Sequence, residues 1–253
     1  MSYSTCIVSV CPVRAEASHK SEMTSQLLFG ESGTVLEETK DFVKMKSLYD
    51  GYEGWCQRSQ VVLTNDVLID PKGNLFIEDW VKTVTVNGLP AHIPLGSPIP
   101  ATPTIQAGPY TIQYPEGGWH TANARLTDEA IKSKAFQFLN TPYLWGGRSV
   151  FGIDCSGFTQ LVFRFFNIPL LRDAYLQATQ GEVVGFLQEA RCGDLAFFDN
   201  DEGRITHVGI LLNAQVIIHA SGKVRVDKID NAGILNIDTH QRTHKLRIIK
   251  RYW

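Results

Sequence analysis

The chain has 253 residues, 43% hydrophobic and 20% charged, with 24 Lys and Arg against 26 Asp and Glu for a formal charge of −2. That is enough chain for one large domain or two smaller ones, and the near-balance of charge provides no basic face for nucleic acid or an anionic membrane. No run approaches the ~18 apolar residues of a membrane span.

The opening residues Met1 to Val10 carry neither a charged leader nor a long apolar run. They do not read as a secretory signal, so a cytoplasmic protein is expected unless a leader has been removed. From there to about residue 65 short apolar or alternating runs follow one another: Ile7-Val8-Ser9-Val10, Thr34-Val35-Leu36, Phe42-Val43-Lys44-Met45, Gly54-Trp55-Cys56 and Val61-Val62-Leu63. Gly, Asp, Asn and Pro punctuate them, the pattern of a small β-barrel or sandwich. Residues 24–30 fit a strand or a helical turn equally.

Residues 66–118 form a second stretch, with one clear strand at Val81 to Val86 and then seven prolines between Pro90 and Pro115. Such a segment is extended and rich in turns. It is not a loose linker, because Ile93, Leu95, Ile105, Tyr110, Ile112 and Tyr114 need burial. It reads as an extension of the β-domain or a second small β-piece.

Residues 119–253 change character. Thr127 followed by Asp128-Glu129 opens a helix running to about Leu139. A second helix starts at Cys155, where Phe158, Leu161, Val162 and Phe165 keep the spacing of one buried face, and ends before Pro169. A third, short one is expected within 173–181. Strands follow at Asp194–Phe198, His207–Leu212, Val216–Ser221, Arg225–Lys228 and Lys245–Tyr252. Helices before strands indicate an α+β fold with helices packed on an antiparallel sheet.

The chemistry gathers at Asp154-Cys155-Ser156-Gly157-Phe158. Cys155 sits at a helix N-terminus, where unsatisfied N–H groups and the helix dipole favour a thiolate. A nucleophilic thiol needs a base and a group that orients the base. His207 and His219 lie on strands joined by the polar Asn213-Ala214-Gln215. A turn centred on Asn213 sets them directly opposite, with Cβ atoms ~4.5–5.5 Å apart. His207 then serves as base and His219 as the orienting third member, the papain-like arrangement. A neutral imidazole in that third place stabilises an imidazolium less than a carboxylate would. Zinc held by Cys155, His207 and His219 is the alternative; it is disfavoured because no second cysteine stands at ligand spacing. Cys6, Cys11, Cys56 and Cys192 read as buried structural thiols, and no metal or other cofactor is expected.

At these residues the chain resembles the NlpC-type cell-wall cysteine peptidases. The resemblance covers about residues 125–253 and rests on Pro142-Tyr143-Leu144-Trp145-Gly146-Gly147, the Asp154–Phe158 run, Arg172-Asp173, Gly193-Asp194-Leu195-Ala196-Phe197-Phe198, His207-Val208-Gly209-Ile210 and Ile218-His219-Ala220-Ser221-Gly222. Residues 1–65 more loosely resemble a bacterial SH3-like module, through Val13-Arg14 and Tyr52-Glu53-Gly54-Trp55. The resemblance implies a γ-D-glutamyl-L-diamino acid endopeptidase acting on murein stem peptides with a free N-terminal L-Ala, as in cytoplasmic cell-wall recycling; no nucleic-acid or membrane partner is expected, and the sequence leaves the oligomeric state open. An amidase or acyltransferase on the same fold, or a wall-binding protein with a relict site, are the competing readings. The resemblance makes Cys155 the nucleophile, His207 the base and His219 the third member. It places Tyr143, Asp154 and Ser156 along the substrate, with Asp154 facing the L-Ala ammonium. Tyr52 and Glu53 are further substrate candidates, and an ordinary turn beside a core Trp explains them equally well. Arg172-Asp173 is expected to be a salt-bridged loop pair. Ala174 stands where the family often has Ser, which removes one substrate contact.

Overall fold

A computed structural model describes residues 1–253 except 72, 74, 116, 118 and 122–124. Gly118, where the sequence suggested a boundary, therefore lies outside the described residues. The chain divides into two compact units, residues 1–123 with 145–150 and residues 124–144 with 151–253.

The N-terminal unit opens with β1 (Tyr3–Cys6), β2 (Val10–Arg14), β3 (Met23–Leu28), β4 (Ser32–Glu38), β5 (Phe42–Ser47), β6 (Glu53–Gln57) and β7 (Val61–Thr64). They form a seven-stranded sheet in the order β3-β2-β6-β5-β4-β1-β7. Residues 24–30, ambiguous in the sequence, lie mostly in β3. Ile7-Val8-Ser9, expected as strand, is instead the connection between β1 and β2: β1 starts at Tyr3, and its four residues already pair in full with β7. Cys6, Cys11 and Cys56 are buried with Val13, Leu27, Val43 and Met45 in one core.

The Pro-rich stretch folds as well. β8 (Leu75–Ile77) pairs with β13 (Trp119–Thr121), and between them β9 (Val81–Val86), β10 (Leu89–Pro94), β11 (Thr104–Ala107) and β12 (Tyr110–Gln113) make a four-stranded sheet, order β10-β9-β12-β11. Asn87-Gly88 links β9 to β10 with φ of 50° and 77°, the paired positive values that a tight hairpin turn requires. Ile93, Ile112 and Tyr114 are buried with Phe29 and Val62 of the first sheet, which joins residues 66–114 to residues 1–65 in one core.

Residues 145–150 complete this unit. The Arg148 guanidinium makes a forked pair with Glu31, at 2.8 and 2.7 Å, and donates to the Gln26 carbonyl at 2.9 Å. Its backbone N–H reaches Gln26 Oε1 at 2.7 Å, and Trp145 Nε1 reaches Glu22 at 2.6 Å. Gly146, at φ 71°, passes so close to β3 that a Cβ there would lie 2.3 Å from the Met23 carbonyl oxygen.

The C-terminal unit begins with α1 (Asp128–Gln137), capped by the Thr127 hydroxyl, which accepts from the Ala130 N–H at 3.2 Å. After β14 (Arg148–Ser149), which belongs to the N-terminal unit, the chain returns with β15 (Gly152–Ile153) and α2 (Cys155–Arg164); α3 (Ala174–Gln177) follows. The remaining strands are β16 (Glu182–Val184), β17 (Leu195–Asp199), β18 (Ile205–Asn213), β19 (Val216–Ser221), β20 (Lys223–Asp230), β21 (Gly233–Leu235) and β22 (Arg242–Arg251). They form an antiparallel sheet, order β16-β22-β17-β18-β19-β20-β21, which the β21–β22 pairing closes on itself. β16 and β21, three residues each, were not foreseen. The α2 helix is buried along its whole length rather than on one face. Its polar side is covered by the segment around α3: Thr159 donates to Gln177 at 2.8 Å, and Gln160 to the Leu170 carbonyl at 2.9 Å.

Candidate active site

Asp154 ends the extended approach to α2, and its carboxylate accepts from the Gly157 N–H at 2.7 Å. An Asp in that place satisfies an orphan donor of the first turn and sets Cys155 as the first helical residue. The preceding strand is pinned by Ile153 N–H to the Pro142 carbonyl, 3.0 Å, and Leu144 N–H to the Ile153 carbonyl, 3.2 Å. These bonds carry Tyr143 to the side of Cys155 and Asp154, both of which, after burial, raise its phenol pKa.

The β18–β19 register differs from the expectation. A bulge near Leu212 shifts it, so that His219 faces Gly209 and His207 is its diagonal neighbour. The rings still meet, with His207 Nε2 and His219 Nδ1 2.8 Å apart. Gly209 makes this possible, since a Cβ there would lie 2.8 Å from the His219 Cβ. His219 takes Nε2 of His207 and leaves Nδ1 unengaged by that pair. The backbone N–H of Val208, next to His207, faces the Cys155 sulfur.

Three features around the histidines escaped sequence reasoning. Asp227 on β20 takes the far side of His219, Oδ2 to Nε2 at 2.9 Å. Arg225 holds Asp227 through Nε at 2.7 Å and Nη2 at 2.9 Å. Period-2 alternation along Arg225-Val226-Asp227 puts both on one face, but nothing in the sequence says that this face is the one bearing His219. His244 on β22 stacks on His207, with centroids 4.0 Å apart at 26°, and Phe198 flanks the same ring at 5.7 Å.

The electrostatics correct one expectation. Burial pushes the Cys155 thiol up to about 12 and Asp154 adds to it, outweighing the Val208 and Ser156 N–H groups and Arg172. Burial, then His219 and His244, holds His207 well below the usual imidazole value. Burial thus works against the thiolate that the helix N-terminus alone suggests, and against protonation of His207. Burial also raises Asp227, but hydrogen bonds from His219, Arg225 and the Ile237 N–H outweigh it and bring it to about 2.

Arg172 is paired with Asp154, at 2.6 and 3.0 Å, and also donates to the Ser156 hydroxyl at 2.9 Å. Arg172, expected in a loop pair with Asp173, thus also forms a buried ion pair with Asp154, next to the nucleophile in the chain. Asp154 is compensated, so any substrate ammonium there shares it with Arg172. Asp173 occupies the N-cap position of α3 without a side-chain cap hydrogen bond, and Ala174 is the helix's first residue. Tyr52 and Glu53 stand in the N-terminal unit: Tyr52 N–H donates to Asp50 at 3.1 Å, and Glu53 is exposed with Lys46 at 3.4 Å.

A helix carrying a cysteine at its first turn, packed on a closed sheet that carries the histidines, is the papain-like architecture. The comparisons agree. Residues 140–243 match the NlpC/P60 family, and residues 13–61 match the bacterial dipeptidyl-peptidase SH3 domain. The chain is similar to a γ-D-glutamyl-L-lysine dipeptidyl-peptidase of Bacillus subtilis, 31% identical over 214 residues, spanning 78% of this chain and 71% of that one. It is also similar to dipeptidyl-peptidase 6 of Lysinibacillus sphaericus, 27% identical over 88% of this chain and 90% of the relative. A crystal structure of an NlpC/P60 family protein from Bacillus cereus has the same fold, with TM-score 0.80 at 20% identity and 99% of each chain covered. The chain belongs to the NlpC/P60 family of peptidoglycan peptidases, with an SH3-like domain at its N-terminal side.

Proposed function

We propose that this chain is a cysteine peptidase that hydrolyses the γ-D-Glu–diamino acid bond of murein stem peptides bearing a free N-terminal L-Ala. The observation that carries the reading is the hydrogen bond between His207 and His219 at 2.8 Å, with the Val208 N–H beside His207 facing the sulfur of Cys155. In this reading His207 takes the thiol proton as Cys155 Sγ attacks the D-Glu γ-carbonyl carbon. The oxyanion is met by the Cys155 backbone N–H and the Tyr143 hydroxyl. The carbon–nitrogen bond then breaks, and the His207 proton leaves on the diamino acid amine. Water, deprotonated by His207, hydrolyses the thioester to release L-Ala-D-Glu and restore the thiol.

Asp154, Ser156 and Tyr143 line the substrate in this proposal. Relatives named dipeptidyl-peptidases support release of a dipeptide from an amino end; action on free peptides in cytoplasmic recycling belongs to the same proposal. The test is mass spectrometry of products from L-Ala-γ-D-Glu-L-Lys, its meso-diaminopimelate counterpart and their N-acetylated forms, with Cys155→Ala beside the native protein. Release of the diamino acid from the free-amine peptides alone, abolished by Cys155→Ala, is expected. Cleavage of acetylated peptides equally well overturns the free-amine requirement. No cleavage of any, with turnover of another amide, overturns the substrate assignment.

A further inference from the structure

The geometry assigns Asp227 as a positioning residue that, with Arg225, fixes the proton on the outer nitrogen of both catalytic histidines and leaves His207 Nδ1 free to accept the proton of Cys155. This rests on the catalytic reading of Cys155 and His207 given above.

Asp227 is buried at the base of the site and accepts from four donors: Arg225 Nε at 2.7 Å, Arg225 Nη2 at 2.9 Å, the Ile237 backbone N–H at 2.9 Å, and His219 Nε2 at 2.9 Å. An ionised carboxylate only accepts, so the nitrogen facing it, His219 Nε2, carries the proton. A neutral imidazole has one N–H, and His219 is neutral because burial lowers its pKa. Its Nδ1 is therefore a lone pair. The atom facing that lone pair at 2.8 Å is His207 Nε2, which must donate. His207 in turn has its lone pair on Nδ1. Each step follows from the one before, and the first is set by a side chain that touches neither thiol nor substrate.

Arg225 turns this into positioning rather than charge stabilisation. It offsets the charge of Asp227, and it is itself held by Asn236 at 3.1 Å and Asp238 at 2.9 Å. What the pair delivers to His219 is a fixed acceptor in a fixed place. This answers the weakness of a histidine as third member: alone it could present either nitrogen to His207, and with Asp227 behind it only one.

Asp227→Asn tests the assignment. The Ile237 N–H is a backbone donor that cannot move aside, so it and Arg225 Nη2 retain the amide oxygen at the Oδ1 position; the NH2 takes the Oδ2 position, where it displaces the Arg225 Nε donor and faces His219. His219 then accepts at Nε2 and donates from Nδ1, and His207 is forced into the Nδ1–H form that cannot take the thiol proton. In serine proteases the corresponding change lowers kcat about 10,000-fold through the wrong tautomer. Here kcat is expected to fall about 100-fold or more, with KM within about threefold. Nitrogen-15 NMR of the imidazoles at pH 7.5 reads the cause: Nε2–H on His207 and His219 in the native protein, Nδ1–H on both in the variant. A loss of fold alone would not exchange these signals. The native spectrum needs neither substrate nor a folded variant. Nδ1–H on native His207 overturns the assignment even if the peptide is cleaved, and so does native activity in Asp227→Asn. Inert peptides with Nε2–H on both histidines would instead count against the substrate reading and support this one.

Discussion

Glu31→Gln removes one charge from the buried pair that seats residues 145–150 in the N-terminal unit. The Glu31 and Arg148 side chains are 4% and 2% exposed, so water cannot replace the lost partner. The amide keeps an acceptor for the Leu28 N–H, which now donates to Glu31 Oε2 at 2.9 Å. It cannot neutralise the guanidinium. Breaking a buried pair from one side costs about 3–5 kcal/mol, and the Asp50 carboxylate that also acts on Arg148 places the loss at the lower end. At roughly 2–4 °C per kcal/mol for a domain of this size, the midpoint of the N-terminal unit should fall by about 6–20 °C. Trp55, Trp80, Trp119 and Trp145 lie in that unit and only Trp253 in the other, so tryptophan fluorescence during urea or thermal unfolding reports chiefly on it. Arg148→Met added to Glu31→Gln should recover most of the loss, because Arg148 Nε has no acceptor even in the native protein and an apolar side chain of similar length leaves no buried charge. A single-variant loss below about 1 kcal/mol, or a double variant no more stable than Glu31→Gln, would refute the reasoning.

Four further outcomes follow from the site. His207, His219 and His244 are all held below the ordinary imidazole value, His244 at about 4, so the unfolded chain binds protons that the folded one refuses. Stability of the C-terminal unit should be full above about pH 6.5 and fall as the pH drops from there toward 4; circular dichroism melts that stay flat across this range would contradict it. Gly209→Ala would place a Cβ 2.8 Å from the His219 Cβ, and overpacking of this kind costs about 1–3 kcal/mol; kcat should drop far more than stability, which paired kinetics and melts would show. Arg172→Lys keeps the charge but loses the fork on Asp154 and Ser156; a loss of about 1.5–3 kcal/mol in urea titration is expected, and an unchanged midpoint would show that the ion pair does not support the α2 N-terminus. Alkylation of Cys155 by iodoacetamide should keep rising with pH above 8, in line with a thiol near 12; a plateau near neutrality would indicate a preformed thiolate instead.

Much of this was legible in the chain. Cys155 on a helix start and His207 and His219 on neighbouring strands were readable because each depends on local pattern, an N-cap Asp and period-2 alternation. The bulge at Leu212 was not, since a register shift leaves composition untouched; Gly209 was the available clue, a residue without a side chain opposite His219. Asp227, Arg225 and His244 were invisible for another reason. They come from strands β20 and β22, and only the closure of the sheet decides which strand faces lie together. Arg172 read as a surface loop residue because charged side chains are seldom fully buried without a partner, and its partner Asp154 lies on a different element. The run Tyr143–Gly147 looked like one motif but serves two units, Tyr143 beside the thiol and Trp145 with Gly146 against β3.

That division has a consequence in time. Ribosomes deliver the chain from its N-terminus, and domains generally fold in that order as they emerge. Here the first unit cannot finish when its own contiguous stretch is out. Glu31 is buried among its strands, but the guanidinium that neutralises it is encoded more than a hundred codons later, at Arg148, past the whole of α1. A nascent chain halted between the two lacks the forked guanidinium on Glu31 and has a β3 edge without its loop. The N-terminal unit is thus completed by a segment translated only after α1, and its native pairing of Glu31 with Arg148 cannot form until residues 145–150 have emerged.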